Sequence, residues 1–188
     1  MPSTVTSAVV FIVNSLAQLY LLVLLLRLLL PWLGADFRNP IVQAILKLTS
    51  PVVVPLRRII PPVGRLDTAT VLVAIIVQYL TIVVLLMITG TIGQAGFVPI
   101  AITTVVDLVI LVLNLFVFAI LIRVVLSWIS PGGYNPAVAI INTLTDPVLR
   151  PFRRIIPTLG GLDLSPLFAM ILLTALRIII TGFKLLPF

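Results

Sequence analysis

The chain has no cysteine, no histidine and no glutamate, and only five of its 188 residues are acidic. Each absence removes a chemistry. Without Cys there is no disulfide, thiol nucleophile or thiolate metal site; without His there is no imidazole-ligated haem and no Ser-His-Asp triad. The remaining carboxylates, Asp36, Asp67, Asp107, Asp146 and Asp163, show no spacing that points to a hydrolytic pair. The inventory reads as non-enzymatic, with no cofactor and no metal site expected.

Charge is scarce as well. Charged residues make up 9% of the chain and hydrophobic ones 61%, with a mean hydropathy of +1.34 that no soluble domain approaches. About 20 apolar residues are needed to cross roughly 30 Å of hydrocarbon. Four stretches qualify: about 8–33, 68–89, 100–129 and 164–183. The expectation is an all-α integral membrane protein with four transmembrane helices. No positive charge precedes the first stretch, its apolar run is too long for a signal peptide, and no clean small-x-small site follows, so it is expected to be retained.

What is present is a tandem repeat. Residues 27–68 align without a gap on residues 123–164 at an offset of 96, and 20 of the 42 positions are identical. Arg27, Trp32, Asn39, Pro40, Thr49, Arg57, Arg58 and Asp67 recur as Arg123, Trp128, Asn135, Pro136, Thr145, Arg153, Arg154 and Asp163. The organisation is a first repeat over 1–90, a glycine-containing external turn over 91–99 and a second repeat over 100–188. Each unit holds an even number of spans, so both copies face the same way, as parallel repeats about an axis along the membrane normal.

The loops fix an orientation. Arg38, Lys47, Arg57, Arg58, Arg65, Arg150, Arg153 and Arg154 all fall in the two loops inside the repeats, whereas the turn between repeats carries no cation. Positive loops stay in the cytoplasm, which places both termini outside, with Lys184 running slightly against the rule.

Within each loop the segments "SPVVVPLRRIIP" (50–61) and "DPVLRPFRRIIP" (146–157) sort apolar residues from arginines at helical spacing. Asn135-Pro136 and Asp146-Pro147 each pair an N-cap side chain with a proline at the first helical position, predicting two short helices per loop. Helices this short do not span. They are expected to lie in the interface, with Arg57, Arg58, Arg150, Arg153 and Arg154 reaching anionic lipid headgroups or an acidic partner.

The pattern R-x3-SW of Arg123, Ser127 and Trp128, followed by "YNPAVAIINTLTDPVLRPFRRIIPTLGGLDLSPL" over 134–167, resembles the signature of the YggT family. The likeness covers both halves, in the two-copy form of the proteobacterial members; YlmG proteins and plastid members are single-copy relatives. It implies a multi-pass protein of the bacterial inner membrane with no established catalytic activity, in a family linked to osmotic or ion tolerance, to nucleoid and division organisation and, in plastids, to cytochrome assembly. The motif positions carried over are Arg123, Trp128, Asn135, Pro136, Asp146, Pro147 and Asp163, with Arg27 as the first-copy counterpart of Arg123. The first copy departs from the pattern, with Pro31 for Ser127, Ser50 for Asp146, Val54 for Arg150 and "DTAT" for "DLSP".

Several positions leave two readings open. Arg27 and Arg123 either snorkel to the surface or pair with Asp67 and Asp163 across each hairpin. Asn14, Gln18, Gln78 and Asn114 either bond between helices or line a polar path. Trp32 and Trp128 read as interfacial belt residues, and Asp163 as the cap of the returning helix. Asp107 and Arg177 are charged where their first-copy counterparts, Phe11 and Thr81, are not. At about 1.5 Å per residue both sit roughly 9–12 Å below the outer surface, so an Asp107–Arg177 ion pair between the last two spans is expected.

Two functions follow. The first is a membrane-organising or assembly factor whose cytoplasmic basic helices meet anionic lipid; the alternative is a small oligomeric ion transport or channel component. Expected partners are membrane lipids, with a membrane or division protein and a second copy of the chain as further candidates; no nucleic-acid contact is indicated. The charge asymmetry generates a direct test. Reporter fusions after Ala95 and after Phe188 should both give an external signal, and a cytoplasmic signal after Ala95 would overturn the orientation.

Overall fold

The computed structural model describes residues 4–64, 66–129, 135–156 and 163–186. Arg65 and residues 157–162, with Pro157, Gly160 and Gly161, lie outside them. The described residues form six α-helices: α1 Thr4–Trp32, α2 Pro40–Arg57, α3 Thr68–Thr89, α4 Phe97–Ile129, α5 Pro136–Ile155 and α6 Ser165–Thr181. A short 3-10 turn, Ile92–Gln94, interrupts the link between α3 and α4. Three helices, α1, α3 and α4, are long and apolar enough to cross a membrane, while α6 is apolar but only 17 residues long.

Local chemistry sets the ends. Asn39 and Asn135 cap α2 and α5, each accepting through Oδ1 from the backbone N–H two residues on, at 2.9 Å in both cases, with Pro40 and Pro136 in the first turn. Gly90 closes α3 at φ 71°, a left-handed conformation that glycine adopts without strain, and the Thr91 N–H returns to the Leu86 carbonyl at 2.9 Å.

One expectation is corrected here. The two short helices read into each loop are one continuous helix, which passes through Pro51 and Pro55 in α2 and through Pro147 and Pro151 in α5. Asp146 and Ser50 precede a proline as N-caps do, but neither caps anything. The Asp146 carboxylate is turned to Arg123, and the Ser50 hydroxyl donates back to the Leu46 carbonyl. A tertiary demand on the side chain outweighs the local break that proline would otherwise make.

Packing repeats at the offset of the sequence. Leu24 of α1 meets Val53 of α2 and Val73 of α3 in one buried cluster; Ile120, Leu149 and Ala169, each 96 positions later, meet in another. The returning helices bring small residues to these contacts, Ala69, Thr70 and Ala74 in α3 and Ser165 and Ala169 in α6. Small side chains let helix axes approach, and in lipid that close packing replaces the hydrophobic drive of a soluble core. The two halves join where α3 packs on α4 through Ile82, Leu86 and Ile100, and where Ile140 and Leu144 of α5 enter the cluster of Leu30, Val42 and Ile45. A polar stitch completes the join: Asn39 Nδ2 donates to the Pro136 carbonyl at 2.8 Å.

Candidate functional site

At the end of the bundle where α1 and α4 turn into α2 and α5, an arginine in each half reaches sideways into the neighbouring helix. Arg27 is 4% exposed, and its Nη1 donates to Thr49 Oγ1 at 2.8 Å, to the Leu46 carbonyl at 3.2 Å and to Ser50 Oγ at 3.3 Å. Arg123 Nη1 donates to Thr145 Oγ1 at 2.7 Å and to Asp146 Oδ1 at 2.6 Å. The threonines are suited to this, because a hydroxyl both donates and accepts. Thr49 donates to the Ile45 carbonyl and Thr145 to the Ile141 carbonyl, at 2.7 Å in each helix, leaving lone pairs for the guanidinium.

A second link closes each hairpin. Arg57 Nη2 lies 2.7 Å from Asp67 Oδ2, and Arg153 Nε lies 2.9 Å from Asp163 Oδ2. The halves then diverge in how the inner arginine finds its counter-charge. Arg27 Nε approaches Asp67 at 3.8 Å, whereas Arg123 takes the adjacent Asp146, which also lies 3.6 Å from Arg153. Neither inner arginine snorkels. The pairing across the hairpin holds for Arg27 with Asp67, while Asp163 is matched by Arg153 rather than by Arg123.

Burial pushes the Asp67 carboxyl up, but hydrogen bonds from Thr70 and Arg57 outweigh it, so its pKa lies below the usual aspartate value. Asp163 follows the same balance: burial raises it, and bonds from Ser165 and Arg153 leave it lowered. Asp163 Oδ1 accepts from the Ser165 N–H at 2.9 Å, at the entry to α6.

This geometry divides the arginines expected at the lipid surface. Arg57 and Arg153 are tied down as clasps. Arg58, Arg150 and Arg154 are exposed, with no hydrogen-bond or ion-pair partner among the described residues. Beside them Ile59 and Ile155, equivalent by sequence, are 80% and 79% exposed. Trp32 and Trp128 are exposed at the same end. The role of Thr49 and Thr145 was not read from the sequence, although their shared spacing of 22 residues from Arg27 and Arg123 was a usable signal.

The expected Asp107–Arg177 pair is not formed. Asp107 Oδ1 lies 2.8 Å from Lys184 Nζ, and Asp107 Oδ2 accepts from Gln78 Nε2 at 2.9 Å, while Arg177 Nη1 donates to Asn114 Oδ1 at 3.1 Å. The antiparallel register of α4 and α6 sets 107 against 184 and 114 against 177, two turns away from the register assumed. The cause is that the helix ends are not level: this register sets the last residue of α6, Thr181, opposite Ile110, well below the start of α4 at Phe97, so the C-terminal turn reaches the level of Asp107. Asn14, Gln18, Gln78, Asp107, Asn114 and Lys184 come together around a cavity of about 230 Å³ between α1, α3 and α4.

Two outcomes follow from the clasps. Arg27→Leu should cost about 1.5–3 kcal/mol in reversible unfolding, the range for hydrogen bonds to a charged group, and Arg123→Leu should cost less, its side chain being 19% exposed. Acid should also destabilise the protein. A carboxylate with a lowered folded pKa contributes stability that is complete above the unfolded value and lost as pH falls through the folded one, so the melting temperature in detergent should hold at neutral pH and drop below about pH 3.9. Asp67→Asn together with Asp163→Asn should flatten that drop; an unchanged profile would show that other groups control it.

Comparison with known proteins adds the family. No solved structure matches the chain. The chain is 41% identical over 175 residues to protein PA0392 of Pseudomonas aeruginosa, covering 93% of this chain and 88% of that one. It is 35% identical over 184 residues to YggT of Escherichia coli K12, covering 94% of each. Against the chloroplastic YlmG homolog protein 2 of Arabidopsis thaliana it is 44% identical over 66 residues, 34% of this chain and 25% of that protein. The CCB3/YggT family model matches twice, at residues 6–88 and again at 102–183, and the chain belongs to that family.

Proposed function

We propose that the chain is a non-enzymatic, four-span protein of the bacterial inner membrane in which α2 and α5 form a paired amphipathic platform on the cytoplasmic surface, organising anionic lipid or an assembly partner there. The carrying observation is the division of the arginines: in each helix one is committed to the fold, and Arg58, Arg150 and Arg154 are left exposed beside exposed isoleucines. That is the chemistry of a surface that inserts apolar side chains among acyl chains and presents guanidinium groups to phosphates. Support for α6 as the fourth span comes from its apolar sequence and its packing along α4 through Ile120 and Ala169. The cytoplasmic placement rests on the loop cations. Four of the five aspartates are paired with Lys or Arg, so no carboxylate pair stands ready for acid-base chemistry.

An ion transport role draws on the polar cavity. Asp107, its one carboxylate, is already matched by Lys184, and a neutralised acid makes a poor cation site, so the surface reading is favoured.

The platform is testable in nanodiscs holding the whole protein in mixed phosphatidylglycerol and phosphatidylcholine. Replacing Arg58, Arg150 and Arg154 with Gln should reduce phosphatidylglycerol enrichment around the protein by roughly fivefold per charge and leave phosphatidylcholine unaffected. Arg153→Gln should lower thermal stability more than it changes enrichment. Undiminished enrichment in the triple variant would defeat the proposal.

A further inference from the structure

The two halves repeat in sequence, but the bundle does not close on itself. Inside each half the packing matches: α1 lies on α2 and α3 as α4 lies on α5 and α6. Between the halves it does not. α3 packs on α4, and Gln78 Nε2 donates across that seam to Asp107. A two-fold relation would lay α6 on α1 in the same way, yet α1 and α6 do not touch among the described residues. The seam is therefore heterologous: one face of a unit meets a different face of the next, and each end of the chain keeps one face unmatched.

At the offset of 96 the unmatched faces can be named. On α3, Ile82 is 1% exposed at the seam and Leu86 is buried beside it; their equivalents on α6, Ile178 and Gly182, are exposed, Ile178 by 65%. On α4, the Asp107 side chain is 10% exposed and Ile100 is buried, whereas their equivalents on α1, Phe11 and Thr4, are open, Phe11 by 72%. The loss of cover is local. Ala169, earlier in α6, is as buried as its equivalent Val73 in α3, so α6 is bare only where α3 meets the next unit. Charge does not bar a contact between the open faces. The polar pair at the seam, Gln78 and Asp107, corresponds to Thr174 and Phe11, both uncharged, and α1 carries no charged side chain before Arg27.

We propose that the open face of α6 is covered by α1 of a second copy of this chain, in the register that α3 and α4 use within one chain. Thr174 then meets Phe11 of the second copy as Gln78 meets Asp107, and Ile178 packs by its Thr4 as Ile82 packs with Ile100. The occupant follows from the seam itself: the two open faces belong to one sequence, and their equivalents already pack together inside it. Lipid tails fit any apolar face, whereas these two faces fit each other. In a closed pair the contact is made twice, so the α6 of each chain lies at one shared interface and no face is left over.

The chain has no cysteine, so introduced thiols report the contact without background. Full-length chains carrying Phe11→Cys and differently tagged chains carrying Thr174→Cys are co-expressed, and the membranes are treated with a short bifunctional thiol reagent. The mixture should give a crosslinked dimer holding one chain of each kind, and neither variant expressed alone should match it, because the contact joins unlike faces. Leu80, which is 54% exposed on the side of α3 away from Ile82, serves as the control: Leu80→Cys should not crosslink to Phe11→Cys. Ile178→Trp placed in the Thr174→Cys chain adds bulk at an open position; it should remove the dimer and leave the melting temperature of the chain unchanged. Equal crosslinking by Thr174→Cys alone or by Leu80→Cys, or no dimer at all, would overturn the proposal.

Discussion

An inward-reaching guanidinium, buried in the first half and partly buried in the second, organises each half of this molecule. Arg27 and Arg123 stand on largely apolar helices, where a charge is costly unless oxygen meets its N–H groups, and each places its Nη1 on such oxygen, while Arg27 Nε is left with no hydrogen bond. Those oxygens come from α2 and α5, through Thr49 and Thr145. The arginine therefore dictates where the surface helix lies, which of its faces turns inward, and that it must continue through its prolines to deliver residues 49–50 or 145–146 at the right height. The outer arginine of the same helix, Arg57 or Arg153, then catches the aspartate at the entry to the returning helix. Three segments are fixed by two guanidinium groups, and the leucines pack within that frame.

The halves solve the counter-charge differently. In the second, Asp146 sits one residue beyond Thr145 and neutralises Arg123 directly. In the first, Ser50 supplies only a hydroxyl, and the compensating charge is Asp67, shared between Arg27 and Arg57. One carboxylate for two guanidinium groups leaves the first half more positive and makes Asp67 its keystone. The second half can lose either Asp146 or Asp163 and still hold a charge near Arg123 or Arg153.

Much of this was legible in the sequence because it depends on composition and short-range pattern. The apolar runs located α1, α3 and α4 to within a few residues, and the Asn-Pro pairs at 39–40 and 135–136 marked the starts of α2 and α5 correctly. Local pattern failed where a distant side chain decides. Asp146-Pro147 has the form of a helix start, and nothing in its vicinity reveals that Arg123 claims the carboxylate. The Asp107–Arg177 expectation failed on register: an apolar run shows that a helix exists but not how deep its end lies beside its neighbour's, and the end of α6, set well below the start of α4, moved the pairing by two turns. The spans' polar residues could be noted as unusual, but that Asn14, Gln18, Gln78 and Asn114 converge follows only from how α1, α3 and α4 face one another.

The unequal lengths of the neighbours α4 and α6 have a consequence for the bilayer itself. A helix of 33 residues rises about 50 Å and one of 17 about 26 Å, on either side of the roughly 30 Å hydrocarbon thickness. With α6 as a span, lipid resting against it must thin to meet its ends, while lipid against α4 must thicken unless that helix tilts, and each ångström of misfit carries a small elastic penalty. The protein is then surrounded by a lopsided annulus, dimpled on one flank. Two copies that brought their α6 flanks together would share a single dimple, an attraction exerted by the membrane without any contact between side chains.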